Sequence, residues 1–180
     1  MQPTERRIFF ILTLIAGLAW IVFSKDNTGT SAARVISAPQ KGFLAPDFTL
    51  KTTDQQMITL SELKGQAVLV NYWATWCPPC RTEMPTIEKL YREYRDQGFI
   101  VLGLNSTIQD NQEATTSFIK EYNLTFPIPL DELGEVSRTY QIRSLPTSFF
   151  INRNGTINEV VVGGPMSEAL LRTRIEDILQ

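Results

Sequence analysis

The only two cysteines of this 180-residue chain, Cys77 and Cys80, stand three residues apart. Two thiols at this spacing can close a disulfide ring and reopen it by thiol–disulfide exchange. The pair follows an apolar run over 68–73 and opens a segment with helical periodicity. Unpaired amides and the positive end of a helix dipole stabilise a thiolate at such a position. The pattern therefore predicts that Cys77 is an exposed, attacking thiol and that Cys80 resolves the mixed disulfide.

Pro78 and Pro79 separate the two cysteines. Neither residue has a backbone N–H, so two amides that could solvate the Cys77 thiolate are missing. The reduced form is then stabilised less than it would be with amide donors at these positions. We expect a comparatively reducing pair, with Trp76 and Pro78, the neighbours of Cys77, contacting the substrate.

Other uses of a cysteine pair fit the composition poorly. The chain has no histidine, and two thiolates alone cannot supply the four ligands of a zinc site. Haem attachment needs a histidine after the second cysteine, where Arg81 stands. A purely structural four-residue ring would stabilise the fold little. With a net charge of −2 and no basic stripe, the chain also predicts no nucleic-acid partner. We expect no metal and no cofactor.

The N-terminus differs from the rest of the chain. Arg6 and Arg7 precede a run over 8–23 without charged side chains. We predict a cytoplasmic segment over 1–7, a transmembrane anchor over 8–24 and a flexible linker over 25–41, which is rich in Ser, Thr and Gly. The catalytic domain would then span 42–180 on the extracytoplasmic side of the cell membrane. A cleaved signal peptide, with its site near Ser31-Ala32-Ala33, stays an alternative.

Beyond the linker, apolar strands alternate with helical segments, which indicates an α/β fold. Turn residues and hydrophobic periodicity predict strands over 48–50, 57–60, 68–73, 99–104, 126–130, 147–151 and 156–162. The same signals predict helices over 78–96, 110–122 and 133–140 and a last helix, capped by Ser167, that ends at 179.

Residues 70–85, VNYWATWCPPCRTEMP, resemble thioredoxin-fold proteins, in particular the ResA/TlpA-type membrane-anchored reductases. Further matches are APDF at 45–48, LPT at 145–147 and NG at 154–155, so the likeness covers about 42–180. The resemblance implies a thioredoxin-like fold, in which helices flank a central mixed sheet, with an extra strand–helix insertion over about 107–129.

The resemblance also assigns roles to single residues. It implies a cis peptide before Pro146 and a substrate that pairs with the backbone of Leu145. Glu83 matches an acidic residue near the active site, where a carboxyl could hold or take a proton; the alternative is a surface glutamate that favours the helix start. Asn71 stands where cytoplasmic thioredoxins carry a buried aspartate, which leaves Glu83 as the nearest group for proton handling.

The resemblance implies a monomeric extracytoplasmic reductase of protein disulfides that serves cytochrome c biogenesis. Its substrate would be the oxidised cysteine pair of apocytochrome c, and a membrane protein would relay electrons to it across the bilayer. Two alternatives stay open. One is a thiol peroxidase, although that class needs a threonine and a proline upstream of its cysteine and this chain supplies only Thr75. The other is a non-enzymatic, tethered copper carrier that binds the metal through both thiolates.

Overall fold

The computed structural model describes residues 12–16, 20 and 36–180. Residues 12–16 and 20 are helical, and most of the predicted anchor over 8–24 lies outside the described residues, together with residues 1–7 and 25–35. Within the described part of the chain, no helix is both long enough and apolar enough to cross a membrane. Ile36–Gln180 form one compact unit.

Residues 36–41, the end of the predicted linker, contact this unit. Ser37 forms a parallel bridge with Leu44, and the Ala38 amide donates to the Leu44 carbonyl over 3.0 Å. The Gly42 amide donates to the Ile157 carbonyl over 2.8 Å. The compact unit therefore includes residues ahead of residue 42.

A four-stranded mixed sheet forms the centre of this unit, with the strand order β4-β3-β5-β6. The central strand β3 runs parallel to β4 and antiparallel to β5, and β5 pairs antiparallel with β6. A separate antiparallel hairpin contains β1 and β2. The strands are β1 Thr49–Lys51, β2 Met57–Thr59, β3 Ala67–Trp73, β4 Phe99–Asn105, β5 Thr147–Ile151 and β6 Ile157–Val162.

Helices cover both faces of the sheet. They are α1 Pro78–Tyr94, α2 Gln112–Tyr122, α3 Glu135–Thr139 and α4 Glu168–Leu179, with 3₁₀ turns at Leu60–Leu63 and Arg95–Gln97. Side-chain oxygens cap two of the helices. Asn111 accepts from the Ala114 amide, and Ser167, the predicted cap, accepts from the Leu170 amide. The expected α/β architecture with a central mixed sheet is confirmed.

Alternation along β3 divides the core into two layers. Leu69 and Trp73 belong to the layer that α1, α2 and α4 cover, and Val68 and Val70 belong to the layer that contains α3. All seven residues of β3 are buried, because helices or loops cover both of its faces. Asn71 shares the face of Leu69 and Trp73, so its polar side chain points toward the α1 layer.

The predicted strand over 126–130 is wrong as a regular element. The chain there is extended beside β4, and only Pro129 and Leu130 form isolated bridges. Pro127 and Pro129 accept hydrogen bonds from Gly103 and Asn105 of β4, but they have no N–H to donate in return. The insertion therefore consists of α2 and an extended segment.

The predicted helix over 133–140 is shorter than expected. Its N-cap, Gly134, has a φ of +66°, and Glu135 is the first helical residue. The buried carboxylate of Asp131 accepts hydrogen bonds from the Val136 and Ser137 amides, at 3.2 and 2.9 Å. These bonds fix the helix start two residues after Leu133, which stays exposed.

Candidate active site

The cysteine pair lies between the end of β3 and the start of α1. Cys77 is the N-cap residue of α1, and its sulfur accepts a hydrogen bond from the Cys80 amide over 3.3 Å. Pro78 and Pro79 fill the first two helical positions, so Cys80 carries the first backbone N–H of the helix. The two cysteines form a disulfide. The predicted placement at a helix N-terminus is confirmed.

The expectation that Cys77 is exposed does not hold in this disulfide form. Only 2% of Cys77 is exposed, because its sulfur turns inward to Cys80 and to the amide of that residue. Cys77 lines a cavity of about 290 Å³ together with Trp76, Pro78 and Leu145. A partner sulfur must enter this cavity to reach Cys77.

Two cis peptide bonds occur in the described chain, and both lie near this site. The bond between Leu145 and Pro146 is cis, as the family resemblance implied. The second cis bond joins Gly164 and Pro165, and the sequence analysis missed it. A Gly-Pro pair alone carries no signal for a cis bond. The Gly163 amide donates to the Pro146 carbonyl over 2.8 Å and so connects the two loops.

Glu83 is buried, which rules out the alternative of a surface glutamate. It lies one helical turn after Cys80, and its carboxylate accepts hydrogen bonds from Asn71 Nδ2 at 2.9 Å and from the Met166 amide at 3.2 Å. Burial raises the pKa of Glu83, and these two hydrogen bonds offset only part of that rise. The carboxyl therefore holds a proton more readily than a solvated glutamate.

Asn71 connects Glu83 to the sheet. Its Nδ2 also donates to Ser148 Oγ over 2.9 Å, whereas its buried Oδ1 has no hydrogen-bond partner among the described residues. An amide in this place cannot ionise. Glu83 is consequently the titratable group of this buried polar cluster.

Glu83 and the loop of cis-Pro146 are packed against Gly164. A Cβ atom on Gly164 would stand 2.9 Å from Glu83 Oε2 and 2.8 Å from Pro146 Cγ. Real Cβ atoms do not approach other atoms this closely, so the site requires a glycine here. The contact joins the carboxyl on α1 to the proline that follows Leu145.

Asp110 is a residue of the site region that the sequence analysis missed. Its carboxylate accepts hydrogen bonds from the Thr75 amide at 2.6 Å, Thr75 Oγ1 at 2.7 Å, the Asn111 amide at 2.9 Å and Asn105 Nδ2 at 3.0 Å. Burial alone would raise the pKa of Asp110, but these donors outweigh it and hold the pKa below its ordinary value. The carboxylate connects the insertion to the residues ahead of Cys77, and an aspartate at the start of a predicted helix gives no signal for this role.

Tyr72 also lines the cavity at Cys77. The Tyr72 hydroxyl donates to Asp131 Oδ2 over 2.7 Å. Burial is the main cause that raises the pKa of Tyr72 far above its ordinary value, and the Asp131 charge adds to the rise. The phenol therefore stays protonated and serves as a fixed donor.

In the described part of the chain, no three His, Cys, Asp or Glu side chains lie close enough to hold a metal ion.

The amino-acid sequence of the chain is similar to those of known thiol–disulfide oxidoreductases, which agrees with a cysteine pair at this site. Residues 42–160 match the AhpC/TSA family, which covers more than half of the chain. The chain belongs to this thioredoxin-like family. The ResA thiol–disulfide oxidoreductase of Oceanobacillus iheyensis is 38% identical over 177 residues, which cover 96% of this chain and 85% of that protein. The ResA protein of Bacillus subtilis is 33% identical, with 93% and 90% covered.

The chain is also similar to solved structures. A putative thiol:disulfide interchange protein DsbE from Chlorobium tepidum is 31% identical, with a TM-score of 0.72 and coverage of 78% of this chain and 98% of that one. StoA from Bacillus subtilis is 33% identical, with a TM-score of 0.64 and coverage of 72% and 96%. The protein is a thiol–disulfide oxidoreductase of the ResA, StoA and DsbE type with a thioredoxin-like fold. Its Cys77–Cys80 disulfide lies at the N-terminus of α1.

Proposed function

We propose that the protein is an extracytoplasmic reductase of disulfides in partner proteins. The observation that carries this proposal is the cysteine pair at the N-terminus of α1, where two prolines replace the first two amides. With those donors absent, the reduced pair is a good electron donor, because its thiolate gains less from hydrogen bonding.

The reaction begins with the Cys77 thiolate, which attacks one sulfur of the partner disulfide. The partner S–S bond breaks, a mixed disulfide with Cys77 forms, and the displaced partner thiolate takes up a proton. The Cys80 thiol then loses its proton and attacks the Cys77 sulfur. This step forms the Cys77–Cys80 disulfide and releases the second partner thiol, so two electrons move from the enzyme to the partner.

Glu83 is the group that we assign to proton exchange with Cys80. It lies one turn along α1 from Cys80, and its raised pKa suits a carboxyl that takes up a proton more readily than a solvated glutamate. Trp76 and Pro78 border the cavity at Cys77, and Leu145 and Pro146 contribute the loop on the other side. We assign these four residues to substrate binding.

The family resemblance supports a more specific role in cytochrome c biogenesis. The substrate would be the oxidised cysteine pair of apocytochrome c, and a transmembrane electron-relay protein would reduce the Cys77–Cys80 disulfide again. The segment over 8–24 would anchor the monomeric enzyme in the cell membrane, with residues 1–7 in the cytoplasm.

Trapping in the native host tests this proposal. Cys80→Ala leaves the attacking thiol but removes the resolving one, so mixed disulfides with partner proteins accumulate and can be identified after non-reducing electrophoresis. Cys77→Ala is the matched control and should trap no substrate. Absence of cytochrome c from the trapped partners would reject the specific substrate, and absence of any mixed disulfide would reject the reductase role. Turnover with hydrogen peroxide, or stoichiometric copper binding without disulfide reduction, would favour the two alternatives.

A further inference from the structure

Three large apolar side chains are exposed beside the redox site. Trp76 is 54% exposed, Ile108 52% and Leu133 69%. They come from three separate segments: the end of the β3–α1 loop, the loop after β4 and the loop before α3. We call Ile108 and Leu133 together the apolar ledge, and Trp76 adjoins it.

Hydrogen bonds and contacts hold these segments together. Trp76 Nε1 donates to the Gln109 carbonyl over 2.9 Å, and the Ile108 amide donates to the Asp131 carbonyl over 3.2 Å. Ile108 Cδ1 packs against Gly134, where a Cβ atom would lie only 3.0 Å away. The surface is therefore ordered before any partner binds, which lowers the entropy cost of binding.

The ledge is continuous with the cavity that leads to Cys77. Trp76 and Gln109 both line that cavity, and Gln109 directly follows Ile108 in the chain. A polypeptide whose disulfide reaches Cys77 must pass Trp76. Residues on one side of that disulfide then come within reach of Ile108 and Leu133.

We propose that the apolar ledge binds apolar side chains of an unfolded polypeptide segment next to the substrate disulfide. This inference rests on the proposed reductase function and adds a substrate preference to it. Apolar side chains are mostly buried in folded proteins, so a surface that binds them favours unfolded substrates. The ledge thus distinguishes an unfolded protein disulfide from a small-molecule disulfide.

The charges around the ledge favour a polypeptide over a membrane surface. Leu133 is flanked by the exposed carboxylates Glu132 and Glu135, whose charge repels anionic headgroups. Membrane-binding surfaces instead combine apolar side chains with Lys and Arg. Of the two nearby cations, Arg138 donates from Nη1 to the Leu133 carbonyl over 2.9 Å, and Arg143 lines the cavity at Cys77 and does not adjoin Leu133 in the sequence.

The test compares two peptide disulfides that differ only beside the cysteines. One peptide carries leucines next to its disulfide and the other carries serines at the same positions. We expect the double variant Ile108→Ser/Leu133→Ser of the full-length reduced enzyme to lose about tenfold in kcat/KM for the leucine peptide, since truncating a few central apolar contacts typically costs this much. Its rates with the serine peptide and with oxidised glutathione should match those of the wild type.

Met57→Ser is the matched control, because Met57 is 63% exposed but lies on β2 of the separate hairpin. It should leave the rates with both peptides unchanged. An equal loss on both peptides, an equal effect of Met57→Ser, or no loss in the double variant would overturn the inference. Failure of the wild type to reduce any disulfide, oxidised glutathione included, would instead overturn the proposed function.

Discussion

At the scale of single residues, the buried Glu83 carboxyl links the redox chemistry to pH. We expect Glu83→Gln to slow resolution of the mixed disulfide by about 100-fold, because a positioned acid–base group contributes at least this factor. The slowed step should also lose its dependence on pH between the ordinary pKa of a glutamate and the raised pKa of Glu83. Stopped-flow measurement of intrinsic fluorescence as a function of pH follows both effects.

The same carboxyl affects stability with a defined sign. A raised pKa in the folded state means that ionising Glu83 costs stability, so its penalty is absent below the ordinary pKa and grows as pH rises through the raised value. The stability of Glu83→Gln relative to the wild type should therefore increase with pH over this window, as measured by urea unfolding. Glu88→Gln is the control, since Glu88 is buried on α1 but binds Arg92 and Thr125. If Glu83→Gln and Glu88→Gln altered the pH profile of the redox reaction equally, the assignment of Glu83 to proton exchange would be contradicted.

Asn71 sets the charge of the cluster around Glu83. Asn71→Asp replaces a donor, 2.9 Å from Glu83 Oε1, by a second carboxyl, and two adjacent carboxyls resist double ionisation. We expect the pKa of the pair to exceed that of Glu83 alone and the redox pH profile to move toward alkaline values. Carboxyl ¹³C chemical shifts measured against pH report the titration. Ser148→Ala removes only a neutral hydrogen bond of Asn71 and should leave the profile in place.

At the scale of elements, Asp110 holds the loop ahead of Cys77 against the insertion. Four hydrogen-bond donors converge on the two carboxylate oxygens of Asp110, and the asparagine of Asp110→Asn offers only one acceptor oxygen. We therefore expect this variant to lose about 1–3 kcal/mol of folding stability at neutral pH. The lowered pKa of Asp110 means that its contribution is present above the ordinary pKa and lost as pH falls through the lowered value. Unfolding in urea should therefore show a difference between variant and wild type that shrinks in acid. Thr75→Val, which removes only the hydroxyl donor, should have a smaller effect; a difference independent of pH would contradict this role.

Local signals predicted most elements but not their exact partners. The buried strand over 68–73, the helix that starts at Pro78 and the Ser167 cap follow from apolar runs and capping chemistry, which act over a few residues. The regular strand expected over 126–130 fails because Pro127 and Pro129 cannot donate to a ladder. The contacts of Asp110 with Thr75 join residues 35 apart, and no local pattern records a contact of that range.

At the scale of the whole molecule, the motif at 77–80 with its neighbours indicated the fold, the helix N-terminus and the chemistry. Few folds place two cysteines three residues apart between a buried strand and the start of a helix. The exposure of Cys77 could not be read in the same manner. It depends on the redox state and on Leu145, which lines the same cavity but comes from a distant part of the chain. Burial of Glu83 depends likewise on Asn71, Gly164 and Met166, which only the complete fold brings together.

The prolines between the cysteines connect the site to the stability of the whole molecule. An N-cap side chain accepts hydrogen bonds from the amides of the second or third helical residue, and in this chain the second is Pro79. Pro79→Ala restores that donor, and a hydrogen bond to a charged group contributes about 1.5–3 kcal/mol. The reduced form gains this stabilisation, so the reduction potential should rise by roughly 30–60 mV, since 30 mV corresponds to about 1.4 kcal/mol for two electrons.

Potential and stability are linked by a thermodynamic cycle, so the same change must appear in unfolding experiments. The difference in unfolding free energy between oxidised and reduced protein should shift by that amount in favour of the reduced form when Pro79 becomes Ala. Pro78→Ala is the matched control, because the first helical amide is not the usual partner of an N-cap side chain. An unchanged or lower potential in Pro79→Ala would show that the missing amide of Pro79 does not set the redox balance of this enzyme.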